Sequence, residues 1–392
     1  MTLRGAAKTL GAFAACLMRG AMLRNRAALE AWQARRLRHW LRDVAGGAGL
    51  TDLPVMDRIR LMADFAACNR LGLSAGDATA MAEGRLPPPP GHHLGLSTGT
   101  TAGVRMPYLI SEAERFVWLG TILAKSLGLR ALLRPRVAVV LPQGSALYDA
   151  AQDGRALPLC FVPLTDGFAA VRGRLEAFRP DVIVAPPRLL GWLAGQETTL
   201  APQHLFAAAE VLDPPDRAAI TAGFPMARLG QIYMATEGLF AVSCHHGTLH
   251  LSEDCLHVDL WPAADGTFEP VITDFTRRAQ IMARYRTGDL VRQVACPCGS
   301  PLRAIVVAGR ALDVIAGVAP DRLRDAVLGA GVGDFRLVQT GDAPPVLHLP
   351  PGVEGGPARR AVESLLRGPV VLQQHPLPLP EGGKLRRVMR LP

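Results

Sequence analysis

The stretch LGLSTGTTAGVRMP, Leu94 to Pro107, places five consecutive hydroxyl or glycine residues, Ser97 to Thr101, ahead of Arg105. Such a run has almost no side-chain area to bury, so it contributes little to a hydrophobic core. Glycine within it also weakens any regular helix or strand. Backbone amides and hydroxyls that precede a positive charge are suited to binding phosphate. The stretch therefore predicts an anion-binding loop, although taken alone it is equally typical of a solvent-exposed turn.

Length and composition predict a multidomain protein that folds in water. A chain of 392 residues favours two or more domains, and 49% of its residues are hydrophobic. No window holds the roughly 18 uninterrupted apolar residues of a membrane span. The first 44 residues favour an amphipathic helix that packs on its own protein over a targeting segment. Seven scattered cysteines predict a reducing compartment, and we expect a cytoplasmic location.

The positive charge does not by itself indicate nucleic acid. The net charge is +9, but the arginines are dispersed, and only four tyrosines and five tryptophans are available to stack on bases. We therefore expect no nucleic-acid partner. Of the 43 basic residues only three are lysines, Lys8, Lys125 and Lys384.

The segments around the opening stretch predict a large α/β domain. Residues 1–83 read as helical, and the proline-rich segment 84–94 breaks that pattern because consecutive prolines cannot continue a helix. RVAVVLP and DVIVAPP read as short buried strands separated by helical segments, and QIYMATEG as a strand that leads into a polar turn. We assign residues 1–310 to this domain.

Residues 311–392 predict a second, smaller α+β domain. A helical segment, APDRLRDAVLGAG, precedes two strand-like segments, FRLVQTG and PVLHLPP. A second helix, ARRAVESLLR, is followed by a strand, PVVLQQH, and a basic tail. The predicted fold class is therefore α/β, with a helical N-terminal segment and a small, mobile C-terminal domain.

Further motifs follow the opening stretch in a fixed order: YMATEG, RYRTGDLV, AGR and LPEGGKLRR. With AAAEVL, LHLSED, VITDF and CPCGS, they make the chain resemble the adenylate-forming enzymes of the acyl-CoA synthetase superfamily. The resemblance is strongest to the phenylacetate-CoA ligase-like branch, which includes deazaflavin-adenylating synthetases. It extends from about Pro54 to the C-terminus. Such enzymes join a carboxylate to ATP, release pyrophosphate and usually pass the acyl group to a thiol.

The resemblance implies a role for residues in each motif. Five residues are expected to line the β- and γ-phosphates of ATP: Ser97, Thr98, Gly99, Thr100 and Thr101. Arg105 stands where relatives often have lysine. The residues expected around adenine are Ala209, Glu210 and Tyr233, the last packing on the base.

The remaining implied contacts concern ribose, phosphate and metal. Asp289 is expected to accept both ribose hydroxyls, as a carboxylate can do with two parallel hydrogen bonds. Arg310 matches a ribose-contacting arginine at the domain junction. Thr236 is expected to contact phosphate, and Glu237 to hold Mg²⁺. Each role suits a reaction in which the protein supplies positioning and preorganised positive charge.

Lys384 is the expected catalytic cation of the C-terminal domain. Its compact charge on a flexible stem suits insertion between a carboxylate and a phosphate. The alternative is an ordinary exposed lysine in a basic tail. The hinge departs from the family pattern, since Leu312 stands where relatives have the first acid of GRxDD, and Asp313 is the alternative hinge residue.

A second site is predicted from cysteine and histidine spacing. Cys244 and His250 form C-x5-H, and Cys296 and Cys298 form C-x-C, which together fit a tetrahedral, structural zinc site. The phenylacetate-CoA ligase-like branch shows similar positions. Reduced, unliganded thiols remain the alternative. Four nearby residues leave the choice of ligands open: His245, His246, Cys255 and His257.

The function expected from the resemblance is ATP-dependent activation of an aromatic or other carboxylic acid to an acyl-adenylate. Transfer to coenzyme A or to a carrier-protein thiol is expected to follow. Two alternatives stay open: an adenylyltransferase that acts on a hydroxyl-bearing small molecule, and a degenerate nucleotide-binding scaffold.

Overall fold

The structure is a computed structural model that describes residues 3–101, 104–141, 158–380 and 384–392. The α-helices of these residues are α1 (Leu3–Met22), α2 (Arg26–Val44), α3 (Arg58–Ala63), α4 (Ala75–Ala82), α5 (Glu112–Leu127), α6 (Phe168–Phe178), α7 (Pro187–Ala194), α8 (Pro214–Gly223), α9 (Pro320–Gly329) and α10 (Gly356–Leu366). Short 3₁₀ helices lie at Leu50–Asp52, Gly128–Leu133, Leu164–Asp166, Ala264–Gly266 and Ala311–Asp313.

The strands are β1 (His92–Thr101), β2 (Val104–Ser111), β3 (Val137–Leu141), β4 (Leu159–Pro163), β5 (Val182–Ala185), β6 (His204–Ala208), β7 (Arg228–Ala235), β8 (Gly238–Ser243), β9 (Leu249–Leu251), β10 (His257–Pro262), β11 (Phe268–Thr273), β12 (Tyr285–Arg286), β13 (Asp289–Gln293), β14 (Ala304–Arg310), β15 (Arg336–Thr340), β16 (Val346–Leu349), β17 (Val371–Gln374) and β18 (Val388–Leu391).

Within the described ranges, one twelve-stranded sheet organises the large domain. Its order is β10-β11-β13-β14-β9-β8-β7-β6-β5-β3-β4, with β12 on β11, and the run from β4 to β7 is parallel. Strands β3, β5 and β6 are buried on both faces, as expected for parallel strands covered by helices. The carboxyl ends of parallel strands share one edge, so the turns after β6 and β7 lie side by side.

The N-terminal helices cover this domain. Helix α1 packs along α5 so closely that a Cβ on Gly120 would lie 2.3 Å from the Thr9 carbonyl oxygen, which leaves room only for glycine. The segment Glu112–Leu133 is long and apolar enough to cross a membrane by length and composition alone. It also packs against α1, β2 and β8, and a core helix of a protein in water passes the same test.

The C-terminal module has its own core and a sheet of order β17-β16-β15-β18 among the residues described. The predicted α/β class with a smaller α+β region is confirmed. One detail differs, because part of the predicted basic tail forms β18, parallel to β15. Val388 is buried in the module's core, so the tail supplies a strand as well as charge.

Candidate active site

The opening stretch forms a hairpin rather than an isolated loop. Strands β1 and β2 pair antiparallel, with an irregular register between Leu96 and Thr100. The Met106 amide donates 3.0 Å to the buried Ser97 hydroxyl, and Arg105 Nε donates 2.9 Å to the Ser97 carbonyl. The Ser97–Arg105 contact therefore spans the irregular part of the hairpin register.

Four of the predicted phosphate-binding residues are described by their backbone only. Thr98, Gly99, Thr100 and Thr101 belong to β1, but the threonine side chains lie outside the described structure. Their contacts with phosphate stay predictions.

Tyr233, Asp289 and Arg310 form one connected group. The Tyr233 hydroxyl donates 2.5 Å to Asp289 Oδ2, and Arg310 Nε lies 3.1 Å from Oδ1 of the same carboxylate. Asp289 and Arg310 are register partners on β13 and β14, so the sheet itself aligns them. Desolvation raises the pKa of Asp289 against the opposing pull of Arg310. Both oxygens of the predicted ribose acceptor thus have protein partners.

The turn after β7 is held from three sides. Thr236 Oγ1 donates 3.0 Å to one oxygen of Glu237, and the Tyr285 hydroxyl donates 3.1 Å to the other. Buried Arg277 donates to the carbonyl oxygens of Thr236 and Glu237 at 3.0 and 3.2 Å. These bonds orient the Glu237 carboxylate before any ligand binds.

The predicted adenine segment contains a strained residue and a buried carboxylate. Ala209 has φ of 68°, a left-handed conformation that costs a non-glycine residue on the order of 1 kcal/mol. Glu210 follows and forms an ion pair with buried Arg188. Desolvation raises the pKa of Glu210 to about 6, although Arg188 opposes the shift. At neutral pH the pair is therefore ionised.

Glu210 also contacts the C-terminal tail. The Leu385 amide donates 2.8 Å to Glu210 Oε1, which fixes the backbone beside Lys384. The Lys384 ammonium interacts with the charges of Asp289, Glu210 and Glu237, while desolvation lowers its pKa. The residue as a whole keeps solvent contact.

The other two lysines have different surroundings. Lys125 forms a 2.5 Å ion pair with buried Asp254, and Lys8 lies exposed on α1. Only Lys384 faces the predicted nucleotide-binding carboxylates.

Two arginines of the C-terminal module hold one buried aspartate of the large domain. Arg387 Nη1 lies 2.5 Å from Asp213 Oδ2 and 3.1 Å from Asp216 Oδ2, and Arg324 Nε lies 2.8 Å from Asp213 Oδ1. Asp213 is only 2% exposed, and desolvation raises its pKa. We call this group, Asp213, Asp216, Arg324 and Arg387, the interdomain latch.

At the hinge, the structure distinguishes the two residues that the sequence analysis considered, Leu312 and Asp313. Leu312 is exposed, whereas Asp313 is buried and pairs with Arg386. Asp313 also accepts a 3.2 Å hydrogen bond from the Arg390 amide at β18. Asp313 thus ties the hinge to the segment that follows Lys384.

Five residues of the site were not predicted from the sequence. They are Arg188, Asp213, Arg277, Tyr285 and Arg387. Tyr285 stands inside RYRTGDLV and Arg387 inside EGGKLRR, so the motifs contained them without assigning a role. Arg188, Asp213 and Arg277 lie between motifs, and only the tertiary structure brings them to the site.

The cysteine and histidine residues predicted to bind metal lie together. One ligand atom from each of Cys244, His250, Cys296 and Cys298 falls within 4.8 Å of the others. The Cys244 and Cys296 sulfurs are 3.6 Å apart, and Cys298 Sγ is 3.3 Å from His250 Nε2. His250 Nδ1 lies 2.8 Å from the carbonyl oxygen of Leu302, the kind of outer contact that orients a metal-binding imidazole. The arrangement fits a Cys₃His metal site.

Comparison with known proteins finds solved structures with a similar fold. No protein-family model and no curated protein matches the chain. The solved structure of 2-hydroxyisobutyryl-CoA ligase in the postadenylation state, with 2-HIB-AMP, is similar at a TM-score of 0.65 and 17% identity, covering 93% of this chain and 89% of that one. The open conformation of that ligase with 2-HIB-AMP and CoA gives a TM-score of 0.55 at 17% identity, with 92% and 90% coverage. A benzoate CoA ligase from Burkholderia xenovorans LB400 gives 0.55 at 14% identity, with 72% and 66% coverage.

The chain therefore has the fold of the adenylate-forming ligases. Among the two states of the 2-hydroxyisobutyryl-CoA ligase above, the postadenylation state is the more similar.

Proposed function

We propose that the protein activates a carboxylic acid with ATP, forming an acyl-adenylate and pyrophosphate, and then transfers the acyl group to a thiol. The observation that carries this proposal is the position of Lys384. Lys384, in the C-terminal module, interacts electrostatically with Asp289, Glu210 and Glu237, which the motifs predict at the ribose, adenine and metal positions. A nucleotide-binding scaffold has no need of such a cation.

The chemistry requires charge placement more than covalent catalysis. A carboxylate oxygen bonds to the α-phosphorus of ATP while the bond to the pyrophosphate oxygen breaks, and negative charge collects on both groups. Lys384 and Arg105 supply preorganised positive charge, which is the effective contribution in phosphoryl-type transfer. Mg²⁺, held by Glu237, would neutralise phosphate charge. Asp289 and Arg310 would position the ribose.

The acyl acceptor is proposed to be coenzyme A or a carrier-protein thiol. Two of the structurally similar proteins are CoA ligases, and one of their structures contains CoA. The motif pattern further supports assignment to the phenylacetate-CoA ligase-like branch. All seven cysteines are free, which supports a reducing, cytoplasmic location.

We also propose that Cys244, His250, Cys296 and Cys298 bind one structural Zn²⁺. Three sulfurs and one imidazole form a donor set that zinc favours, and four protein ligands leave no position for a reactive water. Desolvation opposes ionisation of Cys296, but hydrogen bonds from the Cys298 amide and from His250 lower its pKa to about 6. The zinc would brace the loops next to β8 and β14.

The decisive experiment is pyrophosphate exchange across a panel of aromatic and aliphatic acids. Exchange that depends on one acid supports the ligase, and thioester formation after adding coenzyme A identifies the acceptor. AMP transfer to a hydroxyl compound, without carboxylate-dependent exchange, would identify the adenylyltransferase instead. ATP binding without either reaction would support the alternative of a degenerate nucleotide-binding scaffold.

A further inference from the structure

Two segments of the chain that pack together contain no acidic residue. Neither residues 1–29 nor residues 115–141 include Asp or Glu. Helix α1, from the first segment, packs along α5, from the second. Ala131, in the 3₁₀ helix that follows α5, packs against the cluster that Phe13 and Cys16 of α1 form with Ala124 of α5. The two segments therefore bring only positive charge to the surface that they share.

The outer side of α1 is apolar. Leu10, Met18 and Met22 are exposed by 58, 58 and 76%, at spacings of eight and four residues that keep them on one side of the helix. Ala14 lies exposed between Leu10 and Met18. The opposite side, which includes Phe13 and Cys16, is buried. Helix α1 thus packs on the protein with one apolar side and presents another to solvent.

The neighbouring 3₁₀ helix, Gly128–Leu133, also exposes apolar side chains. Leu129, Leu132 and Leu133 are exposed by 69, 55 and 81%, while Arg130 and Arg134 are exposed between and beside them. Exposed leucines that cluster contribute little to folding and mark an interaction surface. We call the combined surface the apolar–basic face; it comprises Lys8, Leu10, Met18, Met22, Arg24, Leu129, Arg130, Leu132, Leu133 and Arg134.

We propose that the apolar–basic face docks the protein on the surface of an anionic membrane. Exposed leucine and methionine side chains can enter the acyl boundary while basic side chains remain among anionic headgroups. Each basic residue near such a surface strengthens binding by roughly fivefold. A second copy of the chain fits less well, because a symmetric contact would bring Arg130 and Arg134 against the same arginines. This inference does not depend on the proposed adenylation function.

The test is sedimentation of the full chain with large unilamellar vesicles. Equimolar phosphatidylglycerol and phosphatidylcholine vesicles are compared with phosphatidylcholine alone. The wild type is expected to bind the anionic vesicles at least tenfold more tightly and to lose binding as salt is raised. A double variant, Leu132→Asp with Leu133→Asp, and a second, Arg130→Glu with Arg134→Glu, should each weaken binding at least tenfold.

The matched control is Met226→Asp. Met226 is 92% exposed, next to Phe224, whose core cluster lies on the other face of the sheet from the one that packs on α5. This variant should bind anionic vesicles like the wild type, and melting temperatures should be equal in all variants. No binding by the wild type, or equal binding by the leucine variant, overturns the proposal. A dimer that the leucine variant abolishes, without vesicle binding, would assign the face to a second copy.

Discussion

The Tyr233 hydroxyl donates a 2.5 Å hydrogen bond to Asp289, whose other oxygen lies 3.1 Å from Arg310. The residue predicted to pack on adenine is therefore bonded to the residue predicted to hold ribose. Ribose hydroxyls that bind Asp289 would replace the tyrosine hydroxyl as donors to that carboxylate.

Asp289→Ala is expected to weaken ATP binding by about 1–3 kcal/mol, because it removes charge-assisted hydrogen bonds to ribose. Tyr233→Phe is the matched variant, since it keeps the ring and removes only the hydroxyl. It should change ATP affinity by less than about threefold, well below the loss expected for removing the carboxylate. Titration calorimetry measures both. Unchanged ATP affinity in Asp289→Ala would contradict the ribose assignment.

Lys384→Ala is expected to slow adenylate formation by about 10² or more, the scale for losing one preorganised charged donor. ATP affinity should change little, because the interaction belongs mainly to the transition state. Lys384→Arg should recover only part of the rate, since a planar fork does not replace a point charge. Pyrophosphate exchange measures the rate, with exposed Lys8→Ala as control. A wild-type rate in Lys384→Ala would contradict the catalytic role proposed for this lysine.

Arg387→Ala tests the interdomain latch. The variant leaves buried Asp213 with Arg324 as its remaining latch partner, and truncating one member of a buried charge pair costs about 2 kcal/mol or more. We expect adenylate formation to fall at least tenfold. Thiol transfer from a supplied acyl-adenylate should be less affected, because the latch holds the segment of Lys384, whose charge is expected to act in adenylate formation. Arg359→Ala, on exposed α10 surface, is the control, and equal losses in both half-reactions would indicate a general folding defect instead.

The raised pKa of Glu210 predicts that the free energy of unfolding depends on pH. Its pKa is raised from 4.5 to about 6 in the folded protein, so its contribution to folding is fully present below pH 4.5 and is lost as pH rises through 6. A shift of this size corresponds to about 2 kcal/mol. Relative to Glu210→Gln, the wild type should therefore lose about this much free energy of unfolding between pH 4.5 and 7. Denaturant titrations across that range measure the difference, and parallel pH curves would exclude the raised pKa.

Cys298→Ser is expected to lower both metal content and melting temperature, because a four-ligand site contributes directly to folding. Protein purified without chelator should contain one zinc per chain by elemental analysis. Cys160→Ser, in β4, is the matched control and should keep its metal. A metal-free wild type that is as stable as chelator-treated protein would disprove the zinc proposal.

Much of the candidate site could be predicted from the sequence because its residues stand in compact motifs. Asp289, Tyr233, Glu237 and Lys384 each occupy a short segment whose order along the chain is distinctive. The cysteine and histidine spacing likewise predicted the four side chains that the structure gathers. The buried strands β3 and β5 were predictable because continuous apolar runs next to proline are typical of a parallel sheet.

The sequence alone determined which chemical groups are available: a glycine- and hydroxyl-rich segment, a carboxylate expected to bind ribose, a lone lysine near the C-terminus and a set of four metal-ligand side chains. Only the tertiary structure decided their partners. Arg188 meets Glu210 across 22 positions, and Arg387 meets Asp213 across 174. Single arginines and aspartates have no periodicity or spacing that marks such a pair. Their pairing follows from the strand order of the large sheet and the docking of the C-terminal module, which are properties of the whole packed chain.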